Sequence, residues 1–396
     1  MIATLRHRFN QQFTQEKYRD LLRYMEASCG TAVQFRISET PCFLPKPLLD
    51  QMCRYGNELV RQLITPDYLA KSQRSIPAEF HVPNEAAHPL FVQVDFGLVK
   101  NASGALEPKL VELQGFPSLY AYQPFLARAY AEVFGLESKV EYFLGGLSWQ
   151  CYCDLLRSVT VGHHDPENVI LMEIDPLHQK TFPDFVLTEK MLGIRTVDIS
   201  AIERTGKQLF YRAKGKRIPI YRIYNRAIVD ELVRKDVKLS FRLNDELEVE
   251  WAGHPNWFFR MSKFSLPYLR HESVPKSLFL NEIPDKPDLY GWILKPLFSF
   301  AGLGVLLHPT LADLQAIPKE QRGDYVLQER MNFEPIIETP LGMTKAEIRI
   351  MYVWENDPVP VMTIIRMGRG HMMGVDHNKN MEWVGSSAGF LPKHEY

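Results

Sequence analysis

The sequence predicts an α/β protein, and three observations carry that expectation. A strand–helix–strand unit runs NVILMEID, TFPDFVLTEKMLG, IRTVDIS from Asn168 to Ser200. Alternation of that kind favours a parallel sheet. Two pairs of apolar runs of strand length lie on either side of it, Phe91–Val99 with Leu110–Leu113, and Glu347–Trp354 with Val359–Met367. Within the first 75 residues, apolar residues recur at helical spacing.

The bulk numbers set limits. A chain of 396 residues suggests two or three domains at roughly 100–200 residues each. The expected boundaries are 1–160, 161–240 and 241–396. Hydrophobic residues at 45%, charged residues at 23% and a net charge of −1 are ordinary for a globular protein. No global field favours nucleic acid or an anionic membrane. No apolar run reaches the ~18 residues of a spanning helix. The opening MIATLRHRFNQQ turns polar too soon for a signal peptide. Cys29, Cys42, Cys53, Cys151 and Cys153 are an odd count without zinc-type spacing. Free thiols in a reducing cytoplasm fit that count. The expected setting is cytoplasmic, with small-molecule partners and neither nucleic acid nor membrane.

In chain order, Gln15–Ala27 and Pro47–Lys71 read as helices, the second with Leu48, Leu49, Met52, Leu59 and Leu63 at helical spacing. The first strand pair is joined by KNASGALEP. Each strand holds one acid in an apolar setting, Asp95 in FVQVDFGLV and Glu112 in KLVELQGFPS. An acid inside a strand must be solvated, paired or metal-bound. Gln114 lies two residues beyond Glu112, on the same face. The three suit an oxygen-ligand cluster; acids paired with arginines at a sheet edge would read the same way. Tyr120–Gly135 and Gly145–Val161 are expected helices. After the strand–helix–strand unit come two strands, LFYRA and IPIYRIY, and a helix, Ala227–Lys235. Tyr224, Asn225 and Arg226 stand at a strand's carboxyl end, where ligands sit in open α/β sheets. A surface arginine would look alike. Ser240–Trp257 reads as a connector.

Tyr290–Gly304, YGWILKPLFSFAGLG, organises the C-terminal part of the chain. A strand bearing Lys295 leads into a loop with two glycines and then a second strand, VLL. An ammonium beside mobile backbone suits a polyphosphate. It is not a P-loop, because the lysine precedes the glycines. An ordinary hairpin with a surface lysine would share the pattern.

Lined up, the C-terminal half resembles the ATP-grasp superfamily of carboxylate–amine ligases. Lys263 in MSK precedes VPKSLFL, as that family's first nucleotide lysine precedes a comparable strand. WILKP is similar to the strand of the second lysine. FSFAGLGV resembles the glycine loop that closes over phosphates. YVLQERM resembles the hinge that holds adenine and ribose, which implies nucleotide contacts at Gln328, Glu329 and Met331. EIRIMYV and VMTIIRM resemble the strands whose basic residues, here Arg349 and Arg366, face the phosphates and the acyl phosphate. The family's magnesium-binding strand pair, an aspartate and then E-x-N, is missing after SSAGFLPKHEY. It resembles VDFGLV and LVELQGFPS instead, with Asp95, Glu112 and Gln114 as ligands. The resemblance is therefore to circularly permuted members, such as eukaryotic glutathione synthetase and glutathionylspermidine-synthase-like bacterial proteins.

It implies a Rossmann-like substrate domain, a helical N-terminal region, ATP and two magnesium ions. The implied activity is amide formation between a carboxylate and an amine through an acyl phosphate. Lys295 and Arg366 would be catalytic. Tyr224, Asn225, Arg226, Ser386 and Ser387 would contact substrate. The sequence departs from the family where Gln114 replaces asparagine and where Ser299 stands in place of a loop glutamate. An ATP-binding module without catalysis, and a metal-dependent hydrolase that does not use ATP, remain as alternatives.

Overall fold

The computed structural model describes residues 1–284, 287–298, 303–370, 373, 378 and 380–393. Ser299, Phe300, Gly302 and part of the tail, Gly374–His377, lie outside the described residues.

Fold class follows expectation: several sheets are covered by helices. The largest has eight strands. Its main path runs Cys42–Phe43, Gly385–Pro392, Pro358–Gly368, Gly342–Trp354, Phe91–Lys100, Leu106–Gln114. Segments separated by more than 200 residues therefore hydrogen-bond side by side, Asp95 opposite Arg349 and Glu347 opposite Gly97. One face is apolar. Val92, Val94, Phe96, Ile348, Ile350 and Ile365 pack there against the Lys46–Gln62 helix, which buries Leu49, Met52, Leu59 and Val60. Gly56 allows that close approach, because a Cβ there would strike the Tyr352 ring. The opposite face is divided. Part lies under the Tyr122–Phe134 helix, against Met351, Met362, Ile364 and Ala388. The rest carries the charged residues of the site.

The strand–helix–strand unit is present as Val169–Glu173, Phe182–Leu192 and Arg195–Asp198. Its strands join a four-stranded parallel sheet with Arg222–Asn225 and Glu250–Ala252. Two sequence expectations change here. LFYRA and the first half of IPIYRIY form an antiparallel meander, Glu203–Thr205, Gln208–Ala213 and Lys216–Ile220. Only Arg222–Asn225 reaches the parallel sheet. One unbroken apolar run passes from one sheet to another, and periodicity does not show where. The connector Ser240–Trp257 also holds a strand, too short for its pattern to stand out.

A third, three-stranded sheet has Tyr325–Glu329 between Ser277–Phe279 and Trp292–Pro296. VLL does not extend it as a strand. Leu306 makes one bridge to Leu294, with two backbone hydrogen bonds of 2.9 Å. The expected Pro47–Lys71 helix is two, Lys46–Gln62 and Pro66–Ser72, because Thr65 caps a new helix opened by proline. Among the described residues no helix is long and apolar enough to cross a membrane.

Candidate functional site

Strand period places the site. Side chains two apart share a face, and cross-strand partners share it too. Asp95 and Gln93, Glu112 and Gln114, Glu347 and Arg349, Arg366 and Ser386 therefore lie on one face of the large sheet. The register between Asp95 and Phe96 slips by one residue, so Val111 is extra on its strand. A bulge of this kind frees a backbone group from the ladder. Lys295, reaching across from the Trp292–Pro296 strand, donates to the Val111 carbonyl at 3.4 Å.

Asp95 is wholly buried and held by two arginines. Arg349 donates to both of its oxygens, through Nη2 at 2.6 Å and through Nε. Arg366 donates to Oδ2 at 3.0 Å. Arg349 also donates to the Gln93 amide oxygen at 2.7 Å, and Arg366 pairs with Glu347.

Glu112 is placed differently. It accepts from the Gln114 amide at 2.7 Å. Its oxygens lie 4.0 Å from the Lys263 ammonium and 4.0 Å from Arg349 Nη2. Burial alone would raise its carboxyl, but Lys263, Lys295, Arg349 and Arg366 together hold it down at about 2. Burial dominates at Lys295 and Glu347. It brings Lys295 down to about 8, although Glu112 opposes the shift. It pushes Glu347 up to about 7 against the pull of Arg366, with help from Asp95 and Glu112.

Lys263 opens a 3₁₀ turn that lies against the Leu106–Gln114 strand. Gly115 permits the contact: its N–H donates to the Met261 carbonyl at 3.0 Å, and a Cβ would come within 2.7 Å of the Trp257 carbonyl. Between them is a cavity of about 40 Å³ lined by Glu112, Gln114, Phe116, Phe258, Lys263 and Phe298. It holds water-sized occupants. In the small sheet, Gln328 is fully buried, and among the described residues neither its amide nitrogen nor its amide oxygen has a hydrogen-bond partner. Glu329 is exposed and Met331 half-buried on the same segment.

Lys263, Lys295, Arg349, Arg366, Asp95, Glu112 and Gln114 thus meet in one place. Ser386 joins them as the cross-strand neighbour of Arg366, its hydroxyl buried and without a hydrogen-bond partner among the described residues. Ser387 faces the other way and donates to the Thr40 carbonyl at 2.6 Å. Tyr224, Asn225 and Arg226 are buried behind the cavity. Arg226 donates to the Pro117 carbonyl and lies 5.4 Å from the ring of Phe116, which lines the cavity. Gln93 and Glu347 are site residues that the sequence did not single out. Each is two residues from a chosen charged residue, so strand period alone could have found them.

No protein-family model matches the chain, and no curated protein matches its sequence. A solved structure does resemble it: a glutathione synthetase-like effector, GSS30, from Globodera pallida in its apo form. The two share 10% identity at a TM-score of 0.61, over 95% of this chain and 96% of that one. At that identity the likeness concerns fold alone, and the chain has a glutathione synthetase-like fold.

Proposed function

We propose that this chain is an ATP- and magnesium-dependent carboxylate–amine ligase with a circularly permuted ATP-grasp site. The observation that carries this reading is the meeting of Lys263, Lys295, Arg349 and Arg366, from four segments, around Glu112. Four cations facing three acids leave a net positive charge, which suits a polyphosphate. The unpartnered Gln328 amide offers a donor and an acceptor to the edge of a base. The cavity is smaller than a nucleotide, so binding would require the small sheet to lift from the large one.

Magnesium fits less completely. Glu112 and Gln114 would hold it through oxygen, whereas Asp95 would have to release an arginine to join them. Bound there, the ion would neutralise phosphate charge. Lys263 and Lys295 would hold the phosphate oxygens. A substrate carboxylate would attack the γ-phosphorus and ADP would leave, giving an acyl phosphate. An amine would then displace phosphate and form the amide. Arg366 would hold the developing oxyanion, with the Ser386 hydroxyl beside it.

The engaged state of Asp95 favours a second reading, a nucleotide-binding module that performs no chemistry. One experiment separates the two. ATP binding and ADP formation are measured with magnesium across panels of carboxylates and amines. ADP formed in the presence of both substrates supports the ligase. Binding without turnover on any pair supports the module. Folded protein that binds no ATP at millimolar concentration rejects both.

A further inference from the structure

We propose a second metal site, for zinc or a similar divalent ion, formed by His163, His164 and Glu250 at the rim of the parallel sheet. One donor atom from each of the three lies within 4.8 Å of the others. His164 Nε2 is 3.2 Å from Glu250 Oε2, and His163 Nε2 is 3.9 Å from Oε1. Tetrahedral donors on bonds of about 2.0–2.1 Å stand about 3.3–3.4 Å apart, so a shared ion would draw together three donors that now lie within 4.8 Å of one another. His164 Nε2 is shielded from water and stands against that carboxylate, and among the described residues it meets no other hydrogen-bond partner.

The framework around the three is built in advance. The Trp149–Thr160 helix ends just before them, and Gly162 turns the chain with φ +63°. Arg222 fastens this turn to the sheet. It donates to the Val159 and Thr160 carbonyls at 2.9 and 3.0 Å, satisfying groups that a helix end leaves open. It also pairs with Glu250, whose strand neighbour it is. An ion would tie the turn to the sheet's edge strand. Two imidazoles and one carboxylate, with water in the fourth position, suit zinc; magnesium prefers oxygen alone.

The test is equilibrium dialysis of the full chain against zinc chloride, with excess magnesium present, followed by metal analysis. His163 is well exposed, its side chain at 78%, so His163→Ala should fold and melt like the parent without metal. The parent should take up one zinc per chain and melt higher with it. His163→Ala and Glu250→Gln should each weaken uptake at least about tenfold and lose the melting shift. Zinc uptake that is absent from the parent, or equal in parent and His163→Ala, would overturn the proposal. Equal uptake would point to thiols such as the exposed Cys151.

Discussion

The large sheet and the small sheet both bring charge to the candidate site, and they hold it differently. On the large sheet Asp95 is closed off from water, and Arg349 and Arg366 occupy its oxygens. On the small sheet Lys295 is nearly as buried, yet among the described residues it has no ion pair, only a carbonyl at 3.4 Å. A buried ion that is paired and hydrogen-bonded is neutralised within the fold. A buried ammonium without that pairing keeps its charge for something else. The difference separates a residue that assembles the site from one that serves a ligand. Glu112 lies between the two, ionised by the cations around it but, among the described residues, hydrogen-bonded only to an amide.

The largest effect should come from the paired half. Asp95→Asn leaves the buried Arg349 and the half-buried Arg366 short of a charged partner. Loss of one member of a buried pair costs about 3–5 kcal/mol, so denaturant unfolding should show a fall of that size. A fall below about 1 kcal/mol would mean that Asp95 is poised for a ligand as Glu112 is, and the contrast would collapse. Lys295→Ala should do the reverse. Stability should hold or rise, because the burial cost of an ammonium is removed. Ligase turnover should drop by roughly 10²–10³, as when a positioned electrostatic donor is lost. Turnover within about threefold of the parent would place Lys295 outside the chemistry.

A pH titration sharpens the same contrast. The Lys295 ammonium loses its proton near 8 in the fold, well below its ordinary value of 10.5. The unfolded chain therefore binds that proton more tightly, and the cost to stability is present below about pH 8 and relieved as pH rises toward 10.5. ATP affinity should run the other way, weakening as pH rises through 8. In Lys295→Arg that weakening should disappear, since a guanidinium stays charged. An identical pH profile in the variant would assign the titration elsewhere. The smallest effect expected is that of Gln114→Asn, which keeps the amide oxygen. Magnesium-dependent turnover should change only a few-fold; complete loss would show that the longer arm is required.

Much of this was legible along the chain. Asp95, Glu112, Gln114, Lys263, Lys295, Arg349 and Arg366 stand out as polar residues in or beside apolar segments, and all seven meet. The strand Gly385–Pro392 was not legible. GSSAGFLP has no alternation and few large apolar side chains, yet it is buried between two neighbours in the large sheet. Small residues carry little periodic signal, and here tertiary packing overrides propensity. The role of Asp95 was open for a related reason. An acid in a strand reads alike whether it will bind a metal or an arginine, and its partners lie more than 250 residues away.

The sequence by itself determined the elements and the residues that carry charge, because strand and helix periods, proline breaks and turn residues act locally. The tertiary structure alone decided which of those charges are neutralised within the fold and which are left for a ligand. That outcome depends on burial and on cross-strand register. In this chain both are set by bringing residues 91–114 beside residues 342–368, a contact that no local pattern encodes.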